Sequence, residues 1–236
     1  MPRLAFCARV CLVAALAVMS PLAVSAQGEE QRNAKVPGNT TVDYDLSGYL
    51  QIRAAPGRAN KITIHGGTPF GSVKVYDDGD VVSGPQGDEL NLNSTGIWRI
   101  NVEAGDGDDV VSNLTDLKMV VHGGPGNDVL NGNSGSDTFY GEAGDDRIDG
   151  GDGPDWAYGG PGNDTIEGDY GNDRLYGNTG DPAAPDGDDA IRGQEGDDTM
   201  YGEAGNDSLD GGPEFDTAYG DSGVDACPNS EVKVDC

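Results

Sequence analysis

From Leu130 onward, one apolar residue recurs at nearly every ninth position. The series runs Leu130, Phe139, Ile148, Ala157, Ile166 and Leu175, then Ile191, Met200, Leu209 and Ala218. Side chains alternate between the two faces of an extended chain, so each apolar residue and its two neighbours read out, in, out. Glycine, asparagine and aspartate clusters separate these short triplets and supply turns. Upstream the alternation is longer: Tyr49–Ile52, Lys61–Ile64, Val73–Val75, Leu90–Leu92 and Ile97–Val102 all read as strands. Met119 and Val121 alternate inward within residues 113–122, which fill one degenerate half-turn. Beyond the first 26 residues no amphipathic helix longer than two turns is visible. The pattern predicts an all-β chain.

Set in register, the repeating phrase is nine residues long: GGPGNDVLN (123–131), GNSGSDTFY (132–140), GEAGDDRID (141–149), GGDGPDWAY (150–158), GGPGNDTIE (159–167) and GDYGNDRLY (168–176). GQEGDDTMY (193–201), GEAGNDSLD (202–210), GGPEFDTAY (211–219) and GDSGVDACP (220–228) follow an interruption. Each copy carries aspartate at position six. Position nine sets the larger period, because Tyr140, Tyr158 and Tyr176 recur every eighteen residues, and Tyr201 and Tyr219 resume after the break. Eighteen residues therefore make one coil, with a turn on each side and a short strand on each face. Residues 177–192 exceed one repeat by seven; counting them as one half-turn preserves the tyrosine alternation and leaves a loop near 181–187. Same-side aspartates then stack in two rows. Asp109, Asp128, Asp146, Asp164, Asp189, Asp207 and Asp225 form one; Asp137, Asp155, Asp173, Asp198 and Asp216 form the other.

Turn carbonyls and these carboxylates offer only hard oxygen ligands, which suit Ca²⁺. An ion between stacked turns would draw ligands from both and tie one coil to the next. The core is thin, about one inward side chain per phrase, so metal binding is expected to supply much of the folding free energy. The phrase resembles the RTX, or hemolysin-type, calcium-binding nonapeptide repeat. That resemblance implies a right-handed parallel β-roll over residues 123–228, with several calcium ions held by the twelve aspartates named above and by turn carbonyls. Departures from the pattern are Pro154 at position five, Glu214-Phe215 in place of Gly-x, and Cys227 at an inward position.

The net charge of −28 falls entirely on the residues from Asn101 onward. Such a surface repels itself unless cations neutralise it, and it makes nucleic acid and anionic membranes poor partners. Residues 1–26 read as a signal peptide: Arg3 and Arg9, the apolar run Leu12–Met19, then Val24-Ser25-Ala26. The apolar run is short for a membrane span, so a secreted, extracellular protein is expected. Residues 27–40 are a polar lead-in, 41–122 a β-rich region and 229–236 a tail. In an oxidising compartment Cys227 and Cys236 would pair. His65 and His122 lack an H-E-x-x-H context, and acidic pairs such as Asp145-Asp146 fit turns better than glycosidase chemistry. The chain is expected not to be an enzyme. The tyrosine row with Trp156 suggests either a cross-strand ladder or, as an alternative function, a strip for an extracellular glycan or cell-surface partner.

Overall fold

The computed structural model describes residues 33–35, 40–44, 48–54, 57, 59–67, 72–77, 80–81, 92–93, 97–179 and 187–236. The expected signal peptide, most of the lead-in and the expected loop near 181–187, save Gly187, lie outside the described residues. Among the described residues there is no helix. Strands form two stacked sheets, and from Arg99 to Tyr219 the chain passes from one to the other at every turn, giving a parallel β-roll.

The first sheet runs, in spatial order, through Asn33–Lys35, Thr41–Tyr44, Tyr49–Arg53, Arg99–Glu103, Lys118–Pro125, Thr138–Ala143, Trp156–Tyr158, Arg174–Tyr176, Thr199–Tyr201, Thr217–Tyr219 and Val232–Val234. The second runs from Ser208–Asp210 back through Ala190–Glu195, Thr165–Tyr170, Arg147–Asp152, Val129–Asn131, Val110–Leu114, Lys61–Gly67, Ser72–Asp77 and Asp80–Val81, with Leu92–Asn93 also on Ser72–Asp77. Neighbouring rungs are parallel and mostly eighteen residues apart, as in the step from Asp146 to Asp164. Across the interruption the step becomes 25, from Asp164 to Asp189 and from Asp173 to Asp198. Thr165 pairs with Ala190 and Arg174 with Thr199. The ladder therefore keeps its register across the insertion, with every inward side chain on either side of it still facing the core.

Every inward residue of the repeats is buried, from Leu130 and Phe139 to Leu209 and Ala218. The upstream strands continue the same roll. Tyr49–Arg53, Arg99–Glu103 and Lys118–Pro125 pair in parallel, as do Lys61–Gly67 and Val110–Leu114. Several of these strands bury two apolar residues each, with Leu50 and Ile52, Ile62 and Ile64, Ile100 and Val102, and Met119 and Val121 fully enclosed. The core is thus thickest at this end. Thr41–Tyr44 and Ser72–Asp77 then add antiparallel strands, one to each sheet. They cover sheet edges that would otherwise offer open hydrogen-bonding groups. At the other end Val232–Val234 pairs beside Thr217–Tyr219, and the Cys227–Cys236 disulfide, with Cα atoms 6.0 Å apart, fastens the tail.

The outer face of the first sheet carries a continuous aromatic stack. Tyr140, Tyr158, Tyr176, Tyr201 and Tyr219 lie ring on ring, with centroids 5.2, 4.8, 4.7 and 4.8 Å apart. His122 extends the stack, 4.6 Å from Tyr140 and tilted by 10°. Parallel in-register strands place identical side chains one strand spacing apart, and flat rings fill that spacing with face contact. The sequence reading missed His122, although it sits one eighteen-residue coil before Tyr140.

Removing one large core residue should be felt at once in so thin an interior. Phe139→Ala is expected to cost about 3–5 kcal/mol, whereas Tyr170→Ala, at a position 59% exposed, should stay within about 0.5 kcal/mol. Equilibrium denaturant unfolding of both variants checks the contrast.

Candidate metal sites

Each position-six aspartate is the last turn residue before a strand, and its side chain folds back along the roll. One oxygen is used structurally. Oδ1 of Asp128 accepts the backbone N–H of Asp109 at 2.8 Å, and Oδ1 of Asp146 accepts that of Asp128 at 2.7 Å. The series continues through Asp164, Asp189, Asp207 and Asp225. On the other side Asp137, Asp155, Asp173, Asp198 and Asp216 repeat it, starting from the N–H of Met119. The structure thus brings all twelve sequence-predicted aspartates into the two expected rows.

Two residues that sequence reasoning missed close the rows. Asn60 donates both its backbone N–H and its amide to Oδ1 of Asp109, at 2.6 and 3.0 Å. Glu231 Oε2 accepts the N–H of Asp216 at 2.8 Å, where the next aspartate would stand. Asn60 was visible as a polar residue immediately before the Lys61 strand, matching Asp109 before Val110. Glu231 lies fifteen residues after Asp216, off the period, and left no such signal.

The second oxygen of each carboxylate is the informative one. Oδ2 of Asp128, Asp137, Asp146, Asp155, Asp173, Asp198, Asp216 and Asp225 is buried and receives no hydrogen bond from the protein. Its surroundings are oxygens. A Cβ built on Gly141 would lie 2.3 Å from Oδ2 of Asp146 and 2.5 Å from the carbonyl oxygen of Gly159 in the next coil. The same space recurs beside Gly168, bordered by Oδ2 of Asp173 and the Gly193 carbonyl. Glycine is required there because any side chain would fill the gap that the two oxygens share. Buried polar atoms normally find partners, and here the protein offers only acceptors.

Burial accordingly disfavours the charged form. Desolvation pushes Asp128, Asp137, Asp155, Asp173 and Asp198 up to about 7, and Asp146 to about 6. Row neighbours add repulsion, as Asp146 and Asp109 do for Asp128. Either a proton or a cation must compensate these carboxylates. Among the described residues no three carboxylate, imidazole or thiol side chains converge on one point, so any ion here is held largely by backbone oxygens. Hard oxygen donors from flexible turns suit Ca²⁺, which takes carbonyls and carboxylates in irregular sets. The residues fit that ion.

A second row runs along the outside of one turn edge at position five: Asp108, Asn127, Asp145, Asn163, Asp188 and Asn206. Each side-chain oxygen accepts the backbone N–H one coil on, from Asn127 to Asp108 at 2.9 Å through Val224 to Asn206 at 3.2 Å. Acid and amide alternate strictly, so no two carboxylates are adjacent in this row. Two N–H donors from Asn206 hold the Asp188 carboxyl below its ordinary range. The alternation was readable in the sequence, but only after position five had been compared between coils rather than between repeats.

A profile of the RTX calcium-binding nonapeptide repeat matches four stretches, residues 122–157, 149–181, 186–218 and 204–226. The chain carries an RTX calcium-binding repeat array. The matches cover under half of the 236 residues, all within the roll. No curated protein matches the chain. The departures from the RTX phrase leave the rows intact. Phe215 points outward, 58% exposed, while Asp216 beside it stays buried. Asp155 keeps its place after Pro154, and Cys227 is buried at its inward position.

Two outcomes follow for the RTX rows. With calcium chelated, the folded carboxylates hold protons up to about pH 7 that the unfolded chain releases near its ordinary value of 3.8. Stability is then fully present below about pH 4 and is lost as pH rises towards 7. Thermal unfolding in EDTA should therefore occur at a higher temperature near pH 4.5 than near pH 7.5, and a rise with pH would contradict the assignment. Second, Gly159→Ala puts a methyl 2.2 Å from Oδ2 of Asp164 and 2.4 Å from the Gly177 carbonyl. It should cost about 1–3 kcal/mol and weaken calcium binding in a titration. Gly66→Ala, with no atom within 4 Å, should do neither.

Proposed function

We propose that this protein is a secreted, non-enzymatic calcium-binding β-roll in which ions between stacked turns are coupled to folding. The observation that carries this reading is the set of buried aspartate oxygens with only acceptors around them. The twelve row aspartates, from Asp109 to Asp225, would ligate the ions together with turn carbonyls. At the pH outside a cell a proton is a poor compensator for a group titrating near 7, and millimolar calcium is a good one. Folding would then follow export, with the acidic chain kept apart by its own repulsion until calcium arrives.

Export is supported by the Arg3–Ala26 pattern and by the habit of RTX repeat proteins, which are typically secreted. Among the described residues no helix is long and apolar enough to cross a membrane. A non-catalytic role is supported by how the reactive groups are committed. The row carboxylates bond to backbone, and His122 is stacked on Tyr140 and bonded to Glu142 through Nδ1 at 3.0 Å.

Adhesion to a glycan, with calcium in a structural role, is the second reading and draws less support. The tyrosine rings spend their faces on one another, leaving edges and hydroxyls outward where a sugar would need a face. Trp156 is 42% exposed, but the Arg174 guanidinium lies 4.9 Å over its ring.

A calcium titration of the mature protein from EDTA, followed by far-UV circular dichroism with magnesium as control, tests the first reading. A cooperative gain of strand signal with calcium alone is expected. A chelated protein at neutral pH that keeps its full strand signal would overturn it.

A further inference from the structure

The tyrosine stack has a chemical property that neither the rows of aspartates nor their ions require. Five phenols stand in line on an exposed sheet face, rings within 9° of parallel and successive centroids 4.7–5.2 Å apart. All five are half-buried, so each keeps part of its surface open to solvent. Each consecutive pair belongs to consecutive coils, as the register of Tyr158 with Tyr176 and of Tyr176 with Tyr201 shows. A diffusing oxidant can reach any ring, and a radical formed on one ring always has another phenol in contact.

We propose that this ladder is a site of oxidative modification, in which dityrosine bonds form between neighbouring rungs and join successive coils covalently. The oxidant is a one-electron acceptor of the peroxidase class. It removes one electron from each of two adjacent phenols, and each phenolic proton passes to water. The two phenoxyl radicals couple through ring carbons ortho to oxygen. One C–C bond forms, and the two displaced ring hydrogens return to the oxygens as the rings regain aromaticity. The net loss is two electrons and two protons per bond. Rings at the solvent face can swing towards one another, whereas a core residue such as Phe139 could not.

The consequence rests on the calcium-coupled folding proposed above, although the cross-link itself does not. Calcium ties consecutive coils at their turns and is lost when calcium is withdrawn. A dityrosine bond ties the same coils across the first sheet and persists. An oxidised roll would hold its coils in register in the absence of the ion.

Exposure alone predicts a different pattern. Tyr170 is more exposed, at 59%, and lies on the other sheet; Tyr49 meets Trp98 edge-on, at 63°, and lies under the Arg99 guanidinium. The experiment treats the dilute, calcium-loaded full chain with a peroxidase and hydrogen peroxide and maps linked peptides by mass spectrometry. Links within one chain between adjacent ladder tyrosines are expected, each two hydrogens lighter than its parent peptides. The double variant Tyr158→Phe, Tyr201→Phe keeps every ring but leaves no two adjacent phenols, so these links should vanish while its circular dichroism is unchanged. Links that form mainly through Tyr170 or Tyr49, that join separate chains only, or that survive in the double variant would overturn the proposal. EDTA is then added to the oxidised wild type, where retained strand signal is expected. Collapse despite mapped links would overturn the stapling consequence. If unoxidised protein also keeps its signal in EDTA, the calcium reading fails, and the peptide map still decides the cross-link.

Discussion

A carboxylate oxygen buried beside a carbonyl oxygen repels it unless a proton or a cation lies between them. This chain builds that arrangement into successive coils on both edges of the roll. The first oxygen of each aspartate is satisfied by the backbone one coil away, which fixes the side chain in place. The second, on Asp128, Asp137, Asp146, Asp155, Asp173, Asp198, Asp216 and Asp225, is left facing acceptors. Most other features follow from that constraint. Glycine at position one is needed to leave the space, and the concentration of negative charge on the roll repels itself unless protons or cations neutralise it.

The roll is not uniform along its length. At the N-terminal end, strands bury two apolar residues each and antiparallel strands cover the sheets. Further on, one inward side chain per half-coil remains, and the aromatic stack on one face and the carboxylate rows at the turns take over the work of holding coils together. Solenoid stability is a sum of nearest-neighbour terms. Such a gradient makes the contacts between coils more apolar at the thick-cored end. The alternating Asp and Asn row fits the same economy, since it gains the backbone hydrogen bonds of an acidic row at half the charge.

The first resemblance to a known repeat came from glycine and aspartate spacing, and the structure extends the roll beyond it in both directions. Asn60 and Glu231 complete the rows with residues that are not aspartate. Strands as early as Tyr49–Arg53 already pair in the same parallel sheet. These parts were hard to read because their turns do not carry the full glycine and aspartate phrase, while their strands still alternate.

Periodicity alone determined the eighteen-residue coil, the inward residues, the two rows and the register kept across the insertion, because in a parallel in-register roll equal spacing in sequence is equal position in space. What sequence could not decide was the state of individual atoms. Which carboxylate oxygen is bonded and which is orphaned depends on the distance between coils. So does the choice between presenting aromatic rings face outward and stacking them on one another. Those distances are set by strand pairing, and strand pairing exists only in the folded roll.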